Sequence, residues 1–369
     1  MNTDRRGDME LFLCGDVMTG RGIDQILPNP SDPALHENYV KDARDYIEIA
    51  TEANGPVPIS VNDRYIWGDA LSELESRRPD ARIINLETSI TDSDDWQPKG
   101  INYRMNPRNV TCLVAAGVDC AALANNHVLD WGISGLEETL RTLAQAGIKT
   151  AGAGRSLHEA ESPAVLEMAG KGRLLVFSLG MANSGIPQSW AAAERKPGVN
   201  FLEKPSWEYV MKMKEIVTRF KRKGDVAILS LHWGGNWGYE ISSEDQRFAH
   251  ELIDHAGIDL VHGHSSHHVK AFEVYRNKLI LYGCGDFIND YEGIRGYEIY
   301  RPELAVMFFP RVRVATGELV DLQIVPLRIR NFRLVRASVP ETRWLSDLLN
   351  RETRKLGNSG NPFRLCASS

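Results

Sequence analysis

Short apolar, β-branched runs alternate along this chain with stretches of helical spacing, and each run ends in a polar cluster. The runs are Met9 to Leu13, Ala81 to Leu86, Asp119 to Ala124, Asp225 to Leu231 and Asp259 to Val261. The helical stretches are Ala70 to Glu75, Val110 to Ala116, Leu136 to Ala146, Trp207 to Phe220 and Phe248 to Ala256. Strands alternating with helices imply β-α-β units and a mainly parallel sheet, an α/β fold. Leu174 to Leu179 reads as a further strand. After Lys270 the pattern turns to α+β: Lys270 to Tyr275, the turn Arg276-Asn277 and Lys278 to Tyr282 predict a hairpin. Leu304 to Val314 and Leu319 to Leu327 predict a second antiparallel pair around Ala315-Thr316-Gly317.

Two insertions interrupt the pattern. Leu27 to Asn62, with a helix expected near Tyr39 to Ile49, and Asn183 to Pro205 have the length of lids or substrate-binding loops. With no internal repeat and no low-complexity linker, one domain is expected over residues 9–335. A helix near Arg343 to Lys355 and a Gly-Asn-Pro tail then form a peripheral segment, 336–369.

At 369 residues, 43% hydrophobic and 25% charged, the chain has material for a sizeable core. Its net charge of -6 argues against a nucleic-acid partner, which a basic surface would attract. The five cysteines are scattered and form no C-x-x-C pair, so neither a disulfide framework nor a zinc ribbon is indicated. The apolar run Leu11 to Cys14 is too short for a signal peptide, and no stretch approaches the roughly 18 apolar residues of a membrane span. The expectation is a cytoplasmic protein without a membrane span. Its oligomeric state stays open.

The chemistry sits where the predicted strands end. Cys-Gly-Asp closes the first run at Asp16 and Asn-Leu-Glu the second at Glu87. Asn125-Asn126-His127 follows the third, and His232-Trp233-Gly234 the fourth. Four histidines fall between His262 and His268, and a second Cys-Gly-Asp ends at Asp286. In open α/β sheets ligands bind beyond the carboxyl ends of the strands, so these residues are expected to converge. Carboxylates, an amide oxygen and imidazoles form a ligand set for a divalent transition metal such as Mn, Zn or Fe. Each cluster alone also has a plain structural reading, since Gly-Asp favours turns and a histidine can be a satisfied core residue.

In this order the motifs resemble the bacterial capsule-synthesis proteins of the CapA type, or poly-γ-glutamate synthesis proteins, of the calcineurin-like metallophosphoesterase superfamily. The matching residues are Gly15-Asp16-Val17-Met18 with Arg21, Asn85-Leu86-Glu87, Ala124-Asn125-Asn126-His127 with Asp130 and Gly132, His232-Trp233-Gly234, Gly263-His264 with His267, and Gly285-Asp286-Phe287. They span Glu10 to Arg330. The resemblance implies a four-layer α-β-β-α sandwich of two mixed sheets. It implies that Asp16 and His267 hold one metal, with His268 a competitor. Asn126, His232 and His264 would hold a second, with Glu87 bridging and His127 acting as general acid. Arg21 is read as a catalytic clamp on a phosphate or carboxylate, with Arg104 and Asp286 as further candidates.

The chain departs from the superfamily pattern at three places. Val17-Met18 stand where Asp-x-His is usual, Asp286 stands where Asn is common, and Ser265-Ser266 replace a proline step. One metal or two is therefore left open. The function implied is a metal-dependent, phosphoesterase-like hydrolase acting on a phosphoester or an anionic γ-glutamyl-type substrate, small or peptide-like. The alternative is an accessory protein of capsule or polyglutamate synthesis that binds an anionic polymer without cleaving it.

Overall fold

The computed structural model describes residues 7–357 and 364–365; the Gly-Asn-Pro tail and Cys366 lie outside the described residues. Two mixed sheets carry the fold. The first runs Arg333–Arg336, Leu319–Arg330, Leu304–Arg313, Asp8–Val17, Ala81–Leu86, Cys120–Ala122 and Lys149–Ala151 in spatial order. Asp8–Val17 is the hinge of this sheet, parallel to Ala81–Leu86 on one side and antiparallel to Leu304–Arg313 on the other. The second runs Phe201–Leu202, Gly172–Met181, Val226–His232, Leu260–His264, Lys278–Leu281 and Phe272–Tyr275.

The layering follows from strand periodicity, because successive side chains point to opposite faces. Met9, Leu11 and Leu13 share one buried cluster with Leu174, Val176, Val226, Ile228 and Leu260, which places that cluster between the sheets. Phe12 points the other way and packs with Leu71, Leu74, Leu136 and Leu143 of the helices Ala70–Arg77 and Gly132–Gln145. On the far side, Leu175, Leu229 and Val261 meet Val210, Met213, Phe248 and Leu252 of Trp207–Phe220 and Ser243–His255. The result is the four-layer α-β-β-α sandwich. Both central strands are apolar on both faces because both faces are covered.

Ala81–Leu86 and Trp207–Phe220 form over the expected residues. The hairpin turns at Arg276 and Asn277 with φ of 47° and 61°, the doubly left-handed turn that matches strand twist. The helix expected near Tyr39 to Ile49 instead forms at Asp45–Asn54, because the Asp42 side chain accepts from the Arg44 amide and holds a turn just before it. Among the described residues no helix is long and apolar enough to cross a membrane.

The described helix of the segment expected to be peripheral packs into the core. Helix Val339–Lys355 starts at a capping box between Ser338 and Glu341. Leu345, Leu348 and Leu349 on its inner face join the cluster between the sheets. Leu349→Ala is therefore expected to lower unfolding free energy by about 2–5 kcal/mol in urea denaturation. A loss under about 0.5 kcal/mol, normal for surface positions, would return the helix to a peripheral role.

Candidate metal centre

The carboxyl ends of strands from both sheets meet at one buried seam. His232 and His264 are register neighbours on adjacent parallel strands, and Asp16 pairs with Asn85 and with Asp286 in the other sheet. A bulge sets Asp16: the register of its strand shifts on both sides of it, and bulges re-aim side chains. A glycine is obligatory beside it, since a Cβ on Gly15 would lie 1.6 Å from the Gly285 oxygen. This close approach gives a physical reason for glycine in the first of the paired Cys-Gly-Asp motifs.

Asp16, His232 and His264 offer ligand atoms that all lie within 4.8 Å of one another. His232 Nδ1 and His264 Nδ1 are 2.8 Å apart, and Asp16 Oδ1 stands 4.0 Å from His264 Nδ1. The Asn126 amide oxygen is 3.1 Å from His232 Nε2. The Asn85 amide donates to Asp16 Oδ1 at 2.7 Å and to Glu87 Oε2 at 3.1 Å, tying the two carboxylates together. The Ser265 amide donates to Asp16 Oδ2 from the opposite sheet. The resemblance assigned Asp16 to a different ion from His232 and His264; the three lie together here.

Burial and mutual repulsion govern the charges. Burial, then the Asp286 charge, raises the Asp16 carboxyl to about 7. Burial, then the Asp16 charge, raises Glu87 well above the carboxylate range. Burial holds His232 and His264 well below the usual imidazole value. Raised carboxyls and neutral imidazoles are groups whose burial penalty a bound cation relieves. The donor set thus fits a divalent transition metal in both geometry and charge.

His127 stands beside this group. Its Nδ1 donates to Asp130 Oδ2 at 2.6 Å, which leaves Nε2 facing Glu87 Oε1 at 3.8 Å. Burial lowers His127 to about 4, against the pull of Asp130. Lys99 donates to Asp130 and to the Asn126 carbonyl and lies 3.3 Å from His127 Nδ1, and the Tyr103 ring lies 4.2 Å from the imidazole. Sequence reading did not single out Lys99, which sits in a loop with no periodicity to mark it, nor Asn85, which showed only as a neighbour of Glu87.

The remaining candidates divide. His267 Nδ1 lies 3.0 Å from Asp286, itself held by Asn289; burial opposes charge on His267, and Asp286 outweighs it and raises its pKa. His268 turns instead into an aromatic pocket of Trp237, Tyr239 and Tyr300. Arg21 is buried and spends its guanidinium on Asp290, Glu37 and Tyr46, so it holds the wall of the site in place of an incoming anion. Arg104 binds Asp94 and the carbonyls of Ser93 and Asp32 and lies over Trp131. Neither arginine has the free fork a clamp needs.

The raised Asp16 carboxyl sets a pH signature. Its folded pKa of about 7 lies above its ordinary value of 3.8, so its contribution is present below that value and lost as pH climbs through 7. Metal-free protein is expected to lose thermal stability from pH 5 to 8, and saturating Mn2+ to abolish that loss. Equal slopes with and without Mn2+ would contradict the assignment.

The bacterial capsule synthesis protein PGA_cap family model matches residues 10–291. A probable polyglutamine synthesis accessory protein of Mycobacterium tuberculosis is 47% identical over 349 residues, 94% of this chain and 92% of that protein. The PGA biosynthesis protein CapA of Bacillus subtilis is 27% identical over 265 residues, 70% of this chain and 64% of that protein. A phosphatase from Mycoplasma pneumoniae superposes with a TM-score of 0.46 at 13% identity, covering 87% of this chain and 94% of that one, too distant to bear on activity. The chain belongs to the bacterial capsule synthesis protein PGA_cap family.

Proposed function

We propose that this chain is a metal-dependent hydrolase of anionic substrates, either phosphoesters or γ-glutamyl-type amides, working in the reducing cytoplasm. The observation that carries the reading is the pairing of two groups. Asp16, His232 and His264 present converging ligand atoms, and His127, oriented by Asp130, faces the same seam. Asp16, His232 and His264, with Glu87 nearby and Asn126 orienting His232, would hold a Mn, Zn or Fe ion, and His267 with Asp286 would extend the shell toward a second. Such an ion supplies Lewis acidity and makes water a better nucleophile.

This chain's own residues do the rest. His127 is the general acid: Asp130 fixes its Nδ1–H, so Nε2 is the atom that must first take up a proton, which burial opposes and Asp130 favours, and then pass it to the departing group. Lys99 places a positive charge beside His127 and favours an anionic substrate. Arg21 and Tyr103 brace the wall on which His127 rests. Four free, buried cysteines among the described residues accord with a reducing compartment.

A second reading has one specific support, the accessory role in the printed name of the mycobacterial relative. In it the same pocket binds an anionic polymer without cleaving it. Elemental analysis with a screen of p-nitrophenyl phosphoesters and γ-glutamyl peptides separates the two. The hydrolase reading expects metal in the purified protein and turnover of one substrate class. His127→Ala keeps the metal and lowers turnover by about 100- to 10,000-fold, whereas His264→Ala loses both. Bound metal with no turnover of either class would favour the accessory reading.

A further inference from the structure

His262, like His268, has no role in the hydrolase reading, and it is fully buried. It lies on the face of the second sheet that carries His264, and its register partner is Ser230 on the neighbouring strand. A continuous hydrogen-bonded chain runs from it to the metal pocket. His262 Nε2 lies 2.7 Å from the Cys14 carbonyl oxygen in the other sheet. Its Nδ1 is 3.2 Å from Ser230 Oγ, and Ser230 Oγ is 2.8 Å from His264 Nε2.

The chain has only one consistent direction. A carbonyl oxygen accepts and never donates, so His262 Nε2 carries the hydrogen. His262 is fully buried, its two ring nitrogens meet only the Cys14 carbonyl and the Ser230 hydroxyl, and no carboxylate is there to hold a second ring hydrogen. Its Nδ1 is then bare and takes the single Ser230 hydroxyl hydrogen. Ser230 Oγ turns a lone pair to His264 Nε2, which must donate. A His264 ring with its single hydrogen on Nε2 is left with a bare Nδ1, the atom 2.8 Å from His232 Nδ1 and 4.0 Å from Asp16 Oδ1. Reversing the hydroxyl would set two acceptors against each other between Ser230 and His262.

We propose that Ser230 and His262 are positioning residues that lock His264 in the tautomer whose lone pair at Nδ1 faces the metal pocket, with the Cys14 carbonyl as the fixed end of the relay. The other side of the pocket agrees. Asn126 Oδ1 accepts from His232 Nε2, so His232 Nδ1 is bare as well, and two lone pairs meet at 2.8 Å. Such an arrangement calls for a cation or a proton between them. The relay reaches across the sandwich, so it also ties the second sheet's ligands to the strand that ends in Asp16. In metal sites the bond made by a histidine's outer nitrogen decides which nitrogen ligates, and losing that partner costs about 10–100-fold in metal affinity.

The inference rests on the metal-site reading, but its first test does not need the metal. Nitrogen-15 NMR of the metal-free full-length chain at neutral pH is expected to give His264 a protonated Nε2 and a bare Nδ1. Ser230→Ala is expected to lose that preference and to bind Zn2+ about 10–100-fold more weakly by calorimetry, while Ser230→Thr, which keeps the hydroxyl, retains both. A parent His264 protonated at Nδ1 would overturn the proposal, as would Ser230→Ala with parental tautomer and parental affinity. Should Ser230→Ala not fold, the parent spectrum decides alone. A parent with the stated tautomer that binds no Zn2+ upholds the relay and removes the metal reading instead.

Discussion

Three carboxylates, Asp16, Glu87 and Asp286, and two imidazoles, His232 and His264, are buried at one seam between two sheets. Removing such groups from water is costly unless charge is compensated and every polar atom is bonded. The surrounding structure answers that cost locally: Asn85 bonds two of the acids, Asn289 and His267 the third, and Ser230 one imidazole. The charges of His267 and Lys99 reach Asp16 and Glu87, yet burial and the neighbouring acids outweigh them and both carboxyls stay raised. The missing charge is what a divalent ion brings, and it is the condition on which the rest of the site depends.

The same seam explains the architecture around it. Strands apolar on both faces can lie only in the interior of a layered fold, and the two outer helical layers provide that cover. Helix Val339–Lys355 adds three leucines to the layer between the sheets. The ligands therefore emerge from strands packed on both faces, the kind of support that a preorganised site requires. The chemistry sits at the strand ends, where the backbone leaves the sheet and side chains are free to turn inward.

Much of this was legible in the chain. Apolar runs located the central strands, and the polar residues just past them located the site, because parallel strands deliver their carboxyl ends to one edge. What escaped was whatever depends on a partner distant in sequence. The bulge at Asp16 sits beside Gly15, whose missing Cβ lets the strand pass the Gly285 carbonyl, some 270 residues away. Lys99 lies in an aperiodic loop and gains its place only through Asp130 and Asn126. Arg21 has the chemistry of a clamp, but Asp290, Glu37 and Tyr46 take up its nitrogens. His267 and His268 are adjacent and chemically equal, and only the fold turns one to Asp286 and the other to Trp237 and Tyr300.

The central claim is that one cation belongs between Asp16, His232 and His264. X-ray diffraction from crystals grown with Mn2+, recorded on both sides of the manganese absorption edge, tests it most directly. The account predicts an anomalous peak bounded by those three side chains, with Glu87 and Asn126 beside it. Saturating Mn2+ with no peak at that seam, and the two Nδ1 atoms still in contact, would contradict it.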